Sequence, residues 1–241
     1  MTTPIKLGLL GSSGRMGEWV KQLISTEFSD QTVLCVSADK GDALESLLDT
    51  DVIIDFSLPP AMIEFAKLAQ KSNAHIPALV IASTGWTDEQ KAVVTSLKEK
   101  TPILFASNFS TGVLATQKIL NEATKTLTAL GYKPVLTETH HQHKKDAPSG
   151  TAVSLQKIIS PQNPTKVQTH SIREGEVVGD HQITFFGPGD QITLSHHAQD
   201  RSIFARGAIE AAIWLNQKKK QSQLTGVINI EDFFNEVTNS K

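Results

Sequence analysis

The chain has 241 residues, 39% hydrophobic and 20% charged, with a formal net charge of −2. That is an ordinary globular composition, with length for one large domain or two modest ones. The charge balance excludes a globally basic nucleic-acid binder or a protein held to acidic lipid by charge. The one cysteine, Cys35, excludes a disulfide framework within the chain. It falls in the apolar run Val33-Leu34-Cys35-Val36 and is expected as a buried strand residue. No run approaches the roughly 18 apolar residues of a membrane span, and the first apolar run, Ile5-Lys6-Leu7-Gly8-Leu9-Leu10, is too short and too regular to be expected as a signal peptide. The expected compartment is the cytoplasm.

The first half alternates apolar runs with amphipathic stretches. Strands are expected at Ile5 to Leu10, Thr32 to Ala38, Asp51 to Phe56 (closed by Pro59-Pro60), Ala78 to Ser83 and Pro102 to Ser107. Helices are expected at Arg15 to Phe28, at Ala61 to Lys71, and after the capping box Thr87-Asp88-Glu89-Gln90. Continuous apolar strands separated by helices predict a Rossmann-like parallel sheet covered on both faces, with ligands at the carboxyl ends of its strands.

The rhythm then changes. A long helix is expected over Val113 to Leu130, ended by Gly131. A strand follows at Val135 to His140, then a helix over 149–159. Val167 to Arg173, Gln182 to Phe186 and Gln191 to His196 read as strands without intervening helices, which predicts a smaller α+β domain with a mixed sheet. Ile203 to Asn216 returns to an amphipathic helix, and Lys218-Lys219-Lys220 reads as its solvated end. The expected division is a dinucleotide-binding domain over 1–110, a substrate-binding and oligomerisation domain over 111–203, and a helical segment over 204–241 packing back on the first.

Between the first strand and helix lies Gly11-Ser12-Ser13-Gly14-Arg15-Met16-Gly17, a G-x-x-G-x-x-G turn in the setting that phosphate loops occupy. Glycines let the backbone approach a pyrophosphate, which then sits on a helix N-terminus. Asp39 ends the second strand, where an acidic side chain meets an adenosine ribose, and Lys40 could accept a 2′-phosphate, so both NADH and NADPH fit.

Residues 140–145 pack together His140, His141, His143, Lys144 and Lys145. Three readings compete: a metal shared by His141 and His143, ordinary loop histidines, or acid–base chemistry on an anion. The neighbours favour the third. Ser149, Gly150 and Thr151 open a helix and offer hydroxyl and backbone N–H groups to a carboxylate, while Lys144 adds charge. No metal is assigned. A nicotinamide half and an acid–base half together predict hydride transfer with a matching protonation.

Glu138-x-His140-His141-x-x-Lys144-x-Asp146-Ala147-Pro148-Ser149-Gly150-Thr151-Ala152 resembles the signature of the dihydrodipicolinate reductase family, now called 4-hydroxy-tetrahydrodipicolinate reductases. The resemblance runs along nearly the whole chain, through Gly11 to Gly17, Asp55-Phe56-Ser57, Ser83-Thr84-Gly85, Ser107-Asn108-Phe109-Ser110, Arg173-Glu174-Gly175-Glu176 and Phe204 to Ala208. It implies reduction of a cyclic imine dicarboxylate by NADH or NADPH, in diaminopimelate and lysine synthesis. His140 would carry the proton, Lys144 would be second donor and anchor, and His141 with Ser149, Gly150 and Thr151 would hold carboxylate. Gly11, Ser12, Ser13, Gly14, Arg15 and Met16 would hold pyrophosphate, and Asp39 with Lys40 the ribose. Phe56, Ala82, Ser83, Thr84, Ala106, Ser107, Asn108 and Phe109 would line the rest of the cofactor site. A homotetramer through the second domain's sheet is implied, with no nucleic acid or membrane as partner. Ala82-Ser83-Thr84 departs from the common Gly-Thr-Thr, Ser107 from Ala or Pro, and Lys40 from Arg; the chain is compact between Ile159 and Thr169. The alternatives are another two-domain NAD(P) oxidoreductase on a carboxylated substrate, and a non-catalytic NAD(P)-sensing regulator.

Overall fold

The computed structural model describes residues 3–72, 75–162 and 167–239. In chain order the elements are β1 (Ile5–Leu10), α1 (Arg15–Thr26), β2 (Thr32–Ala38), β3 (Val52–Asp55), α2 (Pro59–Lys71), β4 (Ala78–Ile81), α3 (Asp88–Thr95), β5 (Pro102–Phe105), α4 (Thr111–Ala129) and β6 (Lys133–His140). There follow α5 (Gly150–Ile159), β7 (Gln168–Arg173), β8 (Gly179–Phe186), β9 (Gln191–Ala198), α6 (Ser202–Ser222), β10 (Gly226–Ile228) and α7 (Ile230–Asn239). The chain divides into two compact units, Met1–Ser110 with Ser202–Lys241, and Thr111–Arg201.

The first unit holds a six-stranded sheet in the order β10-β5-β4-β3-β1-β2, every pair parallel. Strands β3 and β4 are buried at every position. The apolar runs are continuous because helices cover both faces. One core packs Leu7, Leu9, Ile54 and Val80 against α1 and α6; the other packs Leu10, Ile53, Leu79 and Ile81 against α2. Each such side chain contributes about 2 kcal/mol by leaving water. β1 lies between β2 and β3, so successive strands are laid down in opposite directions from it. The crevice outside the carboxyl ends of β1 and β3 is therefore the switch point at which sheets of this kind bind ligands.

Four expectations change. Cys35 is exposed, because β2 is the sheet's edge strand and its odd positions face outward. Pro59 and Pro60 form the first turn of α2 rather than a stop before it, a place where a missing N–H costs nothing. The segment over 204–241 is not all helix: Gly226–Ile228 adds a parallel strand beside β5. The three lysines are not simply solvated, since Lys218 pairs with Glu236, Lys220 lies 3.2 Å from Asp51, and Lys219 donates to the Ile76 carbonyl. Burial holds the Lys219 ammonium down to about 8.

The second unit holds a four-stranded mixed sheet, β7-β6-β8-β9, with β6 and β7 parallel and the other pairs antiparallel. On one face Leu136, Ile183 and Phe185 pack against Leu120 and Leu127 of α4 and Leu155 and Ile159 of α5. Gly131 follows α4 at φ 86°. The compact stretch between Ile159 and Thr169 runs through 163–166, which lie outside the described residues.

Candidate active site

In the first unit the glycine loop closes on the switch point. Gly11 has φ 88°, and a Cβ there would lie 2.7 Å from the backbone of Phe56 and Ser57. Only glycine combines that left-handed conformation with so close an approach. A Cβ on Gly17 would meet the Gly11 and Ser12 carbonyl oxygens at 2.5 Å, so α1 starts pressed against its own loop. Gly14 is the N-cap of α1 with no side-chain hydrogen bond, which leaves first-turn N–H groups for an anion. Asp39 accepts the Ser13 N–H at 3.1 Å and the Ser12 hydroxyl at 2.8 Å. Burial raises its affinity for a proton, but these hydrogen bonds outweigh that and hold the carboxyl below its usual range. The residues thus fit a dinucleotide: backbone where phosphates need it, and a fixed carboxylate at the end of β2. Arg15 and Lys40 are exposed, and Met16 packs on the core edge.

The ends of β4 and β5 enclose a cavity of ≈ 340 Å³ lined by Ser83, Thr84, Gly85, Trp86, Lys91, Phe105, Ala106 and Ser107. Four of the residues expected on the nicotinamide side, Ser83, Thr84, Ala106 and Ser107, therefore share one space. Ala82 packs on the core beside it. Asn108 Oδ1 accepts the Ser110 N–H at 2.8 Å, and Phe109 is buried at 1% exposure, so its ring belongs to the core. Trp86 forms part of the wall, held by a 2.9 Å bond to the Ser83 carbonyl and an edge contact with Phe105. Beneath lies Asp55, fully buried, bonded by the Ser57 N–H at 2.9 Å and the Ser83 hydroxyl at 2.5 Å. Burial raises its pKa against those bonds.

In the second unit the register of the sheet builds the chemistry. Alternate residues of a strand share a face, so Glu138 and His140 of β6 point the same way. The pairing sets Ser171 and His181 on either side of Glu138, then His196 beside His181. Glu138 has no exposed surface, and its two oxygens are divided: Oε2 meets His140 Nδ1, and Oε1 accepts from Arg173 at 2.8 Å. Burial pushes the Glu138 carboxyl up, but Arg173, Ser171 and His140 together hold it below its usual range. Burial depresses His140, with Glu138 opposing. Arg173 also donates to the Asp146 carbonyl, tying the loop after β6 to the pair.

That loop carries the remaining predicted residues. Lys144 pairs with Asp146 at 2.8 Å and is close enough to His140 for its charge to disfavour a second proton there. His141 is half-buried, with its ring 6.3 Å from that of exposed His143; Lys145 is exposed. The peptide between Ala147 and Pro148 is cis. Ser149 is the N-cap of α5 and accepts the Ala152 N–H at 3.2 Å. Gly150 borders open space, and Thr151 follows, half-buried. Ser149 Oγ also lies 3.2 Å from His181 Nε2, and the His181 ring meets His140 edge-on at 5.2 Å between centroids. One histidine therefore touches both the helix N-terminus and the imidazole–carboxylate pair. Among the described residues, Glu138, His140 and His181 present ligand-type atoms within 4.8 Å of one another. Arg173 already neutralises Glu138, so the set suits proton transfer better than a cation.

The family description "Dihydrodipicolinate reductase, N-terminus" matches residues 5–109, and "Dihydrodipicolinate reductase, C-terminus" matches residues 112–234. The chain belongs to the dihydrodipicolinate reductase family. It is 33% identical over 280 residues to the 4-hydroxy-tetrahydrodipicolinate reductase of Blochmanniella pennsylvanica, covering 95% of this chain and 96% of that one. To the enzyme of the same name from Caulobacter vibrioides it is 34% identical over 245 residues, covering 90% and 94%. A dipicolinate-bound dihydrodipicolinate reductase from Paenisporosarcina sp. TG-14 shares the fold at TM-score 0.70 and 23% identity, over 94% of this chain and 98% of that one.

Relative to what the family motifs suggest, the structure adds Asp55, Trp86, Glu138, Arg173, Gly179 and His181 around the predicted side chains. Asp55, Glu138 and Arg173 stand within the motifs given above, but spacing alone does not show what each touches. Gly179 and His181 are reached only through the β6–β8 register.

Proposed function

We propose that this chain reduces (2S,4S)-4-hydroxy-2,3,4,5-tetrahydrodipicolinate to (S)-2,3,4,5-tetrahydrodipicolinate with NAD(P)H, releasing water, in the diaminopimelate route to lysine. The observation that carries this reading is the buried Glu138–His140 pair next to a Ser149-capped helix N-terminus. An imidazole with a carboxylate behind it moves a proton, and an open helix end takes a carboxylate.

Each unit supplies one half of what the reaction needs. Residues 1–110 with 204–241 would bind the dinucleotide, and residues 111–203 the substrate. Gly11 to Met16 would hold the pyrophosphate on α1, with Asp39 on the ribose. NAD(P)H, when bound, supplies the hydride, which enters the conjugated ring at C4. That conjugated ring forms when the C4 hydroxyl leaves with a C3 hydrogen as water. After hydride addition at C4, His140 delivers a proton to C3, so one water leaves and one hydride and one proton enter. Lys144 and His141 balance the ring's carboxylate charge, while the N–H groups of Gly150 and Thr151 with the Ser149 hydroxyl orient one carboxylate. The compartment would be the cytoplasm. The assembly would be a homotetramer through the second unit's sheet, where Ile172, Phe186 and Ile192 stay 42%, 47% and 43% exposed.

The test is the fall in NADH or NADPH absorbance when freshly generated cyclic substrate is added. Turnover supports the reading. Saturable nicotinamide binding with no oxidation would instead identify a sensor.

A further inference from the structure

Ser149 caps α5, yet its hydroxyl has a second partner that capping does not need. It is 2% exposed, and its Oγ accepts the Ala152 N–H at 3.2 Å. His181 Nε2 lies 3.2 Å from the same oxygen. The other ring nitrogen, His181 Nδ1, is buried with no hydrogen-bond partner among the described residues. A buried N–H without an acceptor costs more than a bare acceptor nitrogen. The proton therefore sits on Nε2, and Nε2–H donates to Ser149. A serine hydroxyl has two acceptor sites and one hydrogen. Ala152 and His181 fill both acceptor sites, so the hydrogen must point away from both. Gly150, the next residue, borders open space.

We propose that His181 is a positioning residue for substrate capture, fixing the Ser149 hydroxyl as a donor to the carboxylate held at the N-terminus of α5. This rests on the reading that α5 receives a ring carboxylate. Burial lowers the His181 pKa to about 4, so the ring stays neutral and its unpartnered Nδ1 stays bare. Its edge contact with the His140 ring fixes its own orientation. The carboxylate gains one more charge-assisted donor beside the N–H groups of Gly150 and Thr151.

The experiment compares His181→Leu with His181→Gln, whose carboxamide reaches the Nε2 position and can donate. His181→Leu is expected to raise the KM for the cyclic substrate, and the Kd for dipicolinate, by roughly tenfold to a hundredfold, the worth of a hydrogen bond to a charged group. The KM for NADH stays the same. His181→Gln returns both values to within about threefold of the parent. On a Ser149→Ala background His181→Leu adds no more than about twofold, because residues that act through one another are not additive. An unchanged KM in His181→Leu, a glutamine no better than leucine, or additive effects would each overturn the proposal. If His181→Leu does not fold, Ser149→Ala alone must show the rise, and an unchanged dipicolinate Kd there overturns it. Failure of the parent protein to oxidise NADH with the cyclic substrate is a separate result and overturns the reaction, whereas dipicolinate binding still tests His181.

Discussion

Glu138 Oε2 lies against His140 Nδ1, which leaves Nε2 as the nitrogen facing Gly179. The carboxylate fixes the ring's tautomer and favours its protonated form, opposing the burial that depresses it. Glu138→Gln keeps the shape and removes the charge. His140 should then hold its proton less well, so the alkaline limb of the kcat profile moves to lower pH. The fall in kcat should be about a hundredfold at neutral pH, the scale of a mis-tuned general acid. Arg173 loses its carboxylate as well, at a cost to stability of about 3 kcal/mol. A folded variant with an unshifted pH profile would sink the assignment of His140 as proton carrier.

Gly179 makes room for the His140 ring. A Cβ added there would lie 3.0 Å from His140 Nε2 and 3.8 Å from the His181 ring. Gly179→Ala must displace the imidazole by a few tenths of an ångström, and misplacement on that scale costs reacting geometry dearly. The expected result is a fall in kcat of about tenfold, with the KM for NADH unchanged and stability within about 1 kcal/mol. Equal turnover in alanine and glycine forms would show that the ring's place is not set from this side.

How much of this was legible beforehand depends on what distance each feature spans. β1 begins and ends where its apolar run does, because a strand covered on both faces writes itself as a continuous run; β2 keeps the bounds of its run as well, although its odd positions are exposed. The Thr87–Gln90 capping box is likewise local, and both of its hydrogen bonds are present. β10 has no sequence signature because three residues cannot show a period, and its strand pairs in parallel with β5. Cys35 is exposed against expectation because nothing in Val33-Leu34-Cys35-Val36 marks its strand as an edge. The His140 neighbourhood divides the same way. Lys144 and Ser149 lie within ten positions of it, whereas His181 arrives by antiparallel register, a relation with no signature in spacing.

Asp39 is the cofactor end's counterpart to Glu138, a carboxylate pinned by the loop it serves. Asp39→Ala removes the carboxylate proposed to accept from the ribose and frees Ser12 and Ser13. The KM for NADH should rise by about tenfold or more, the worth of a charged hydrogen bond, while kcat at saturation changes little. Fluorescence titration with NADH separates binding from turnover. An unchanged NADH affinity would remove Asp39 from the cofactor site.

His181 also predicts how folding responds to acid. At pH 7.5 its ring is neutral in the folded and unfolded chain alike. Below the ordinary value of 6.5 the unfolded chain takes up a proton that the folded chain refuses until about 4. The unfolded state then binds more protons, so stability falls as pH falls through that window, by up to about 3 kcal/mol in all. The charged and titratable neighbours are His140, Glu138, His196 and Asp180. His140 and His196 are depressed by burial too and act in the same direction, while buried Asp55, whose pKa is raised, acts against them. Comparison with His181→Gln isolates the one residue. Urea midpoints measured at pH 7.5 and 4.5 should drop markedly more in the parent protein than in the glutamine form. An equal drop in both would mean that His181 is already protonated in the folded state, and that the Nε2–H donated to Ser149 does not depend on a neutral ring.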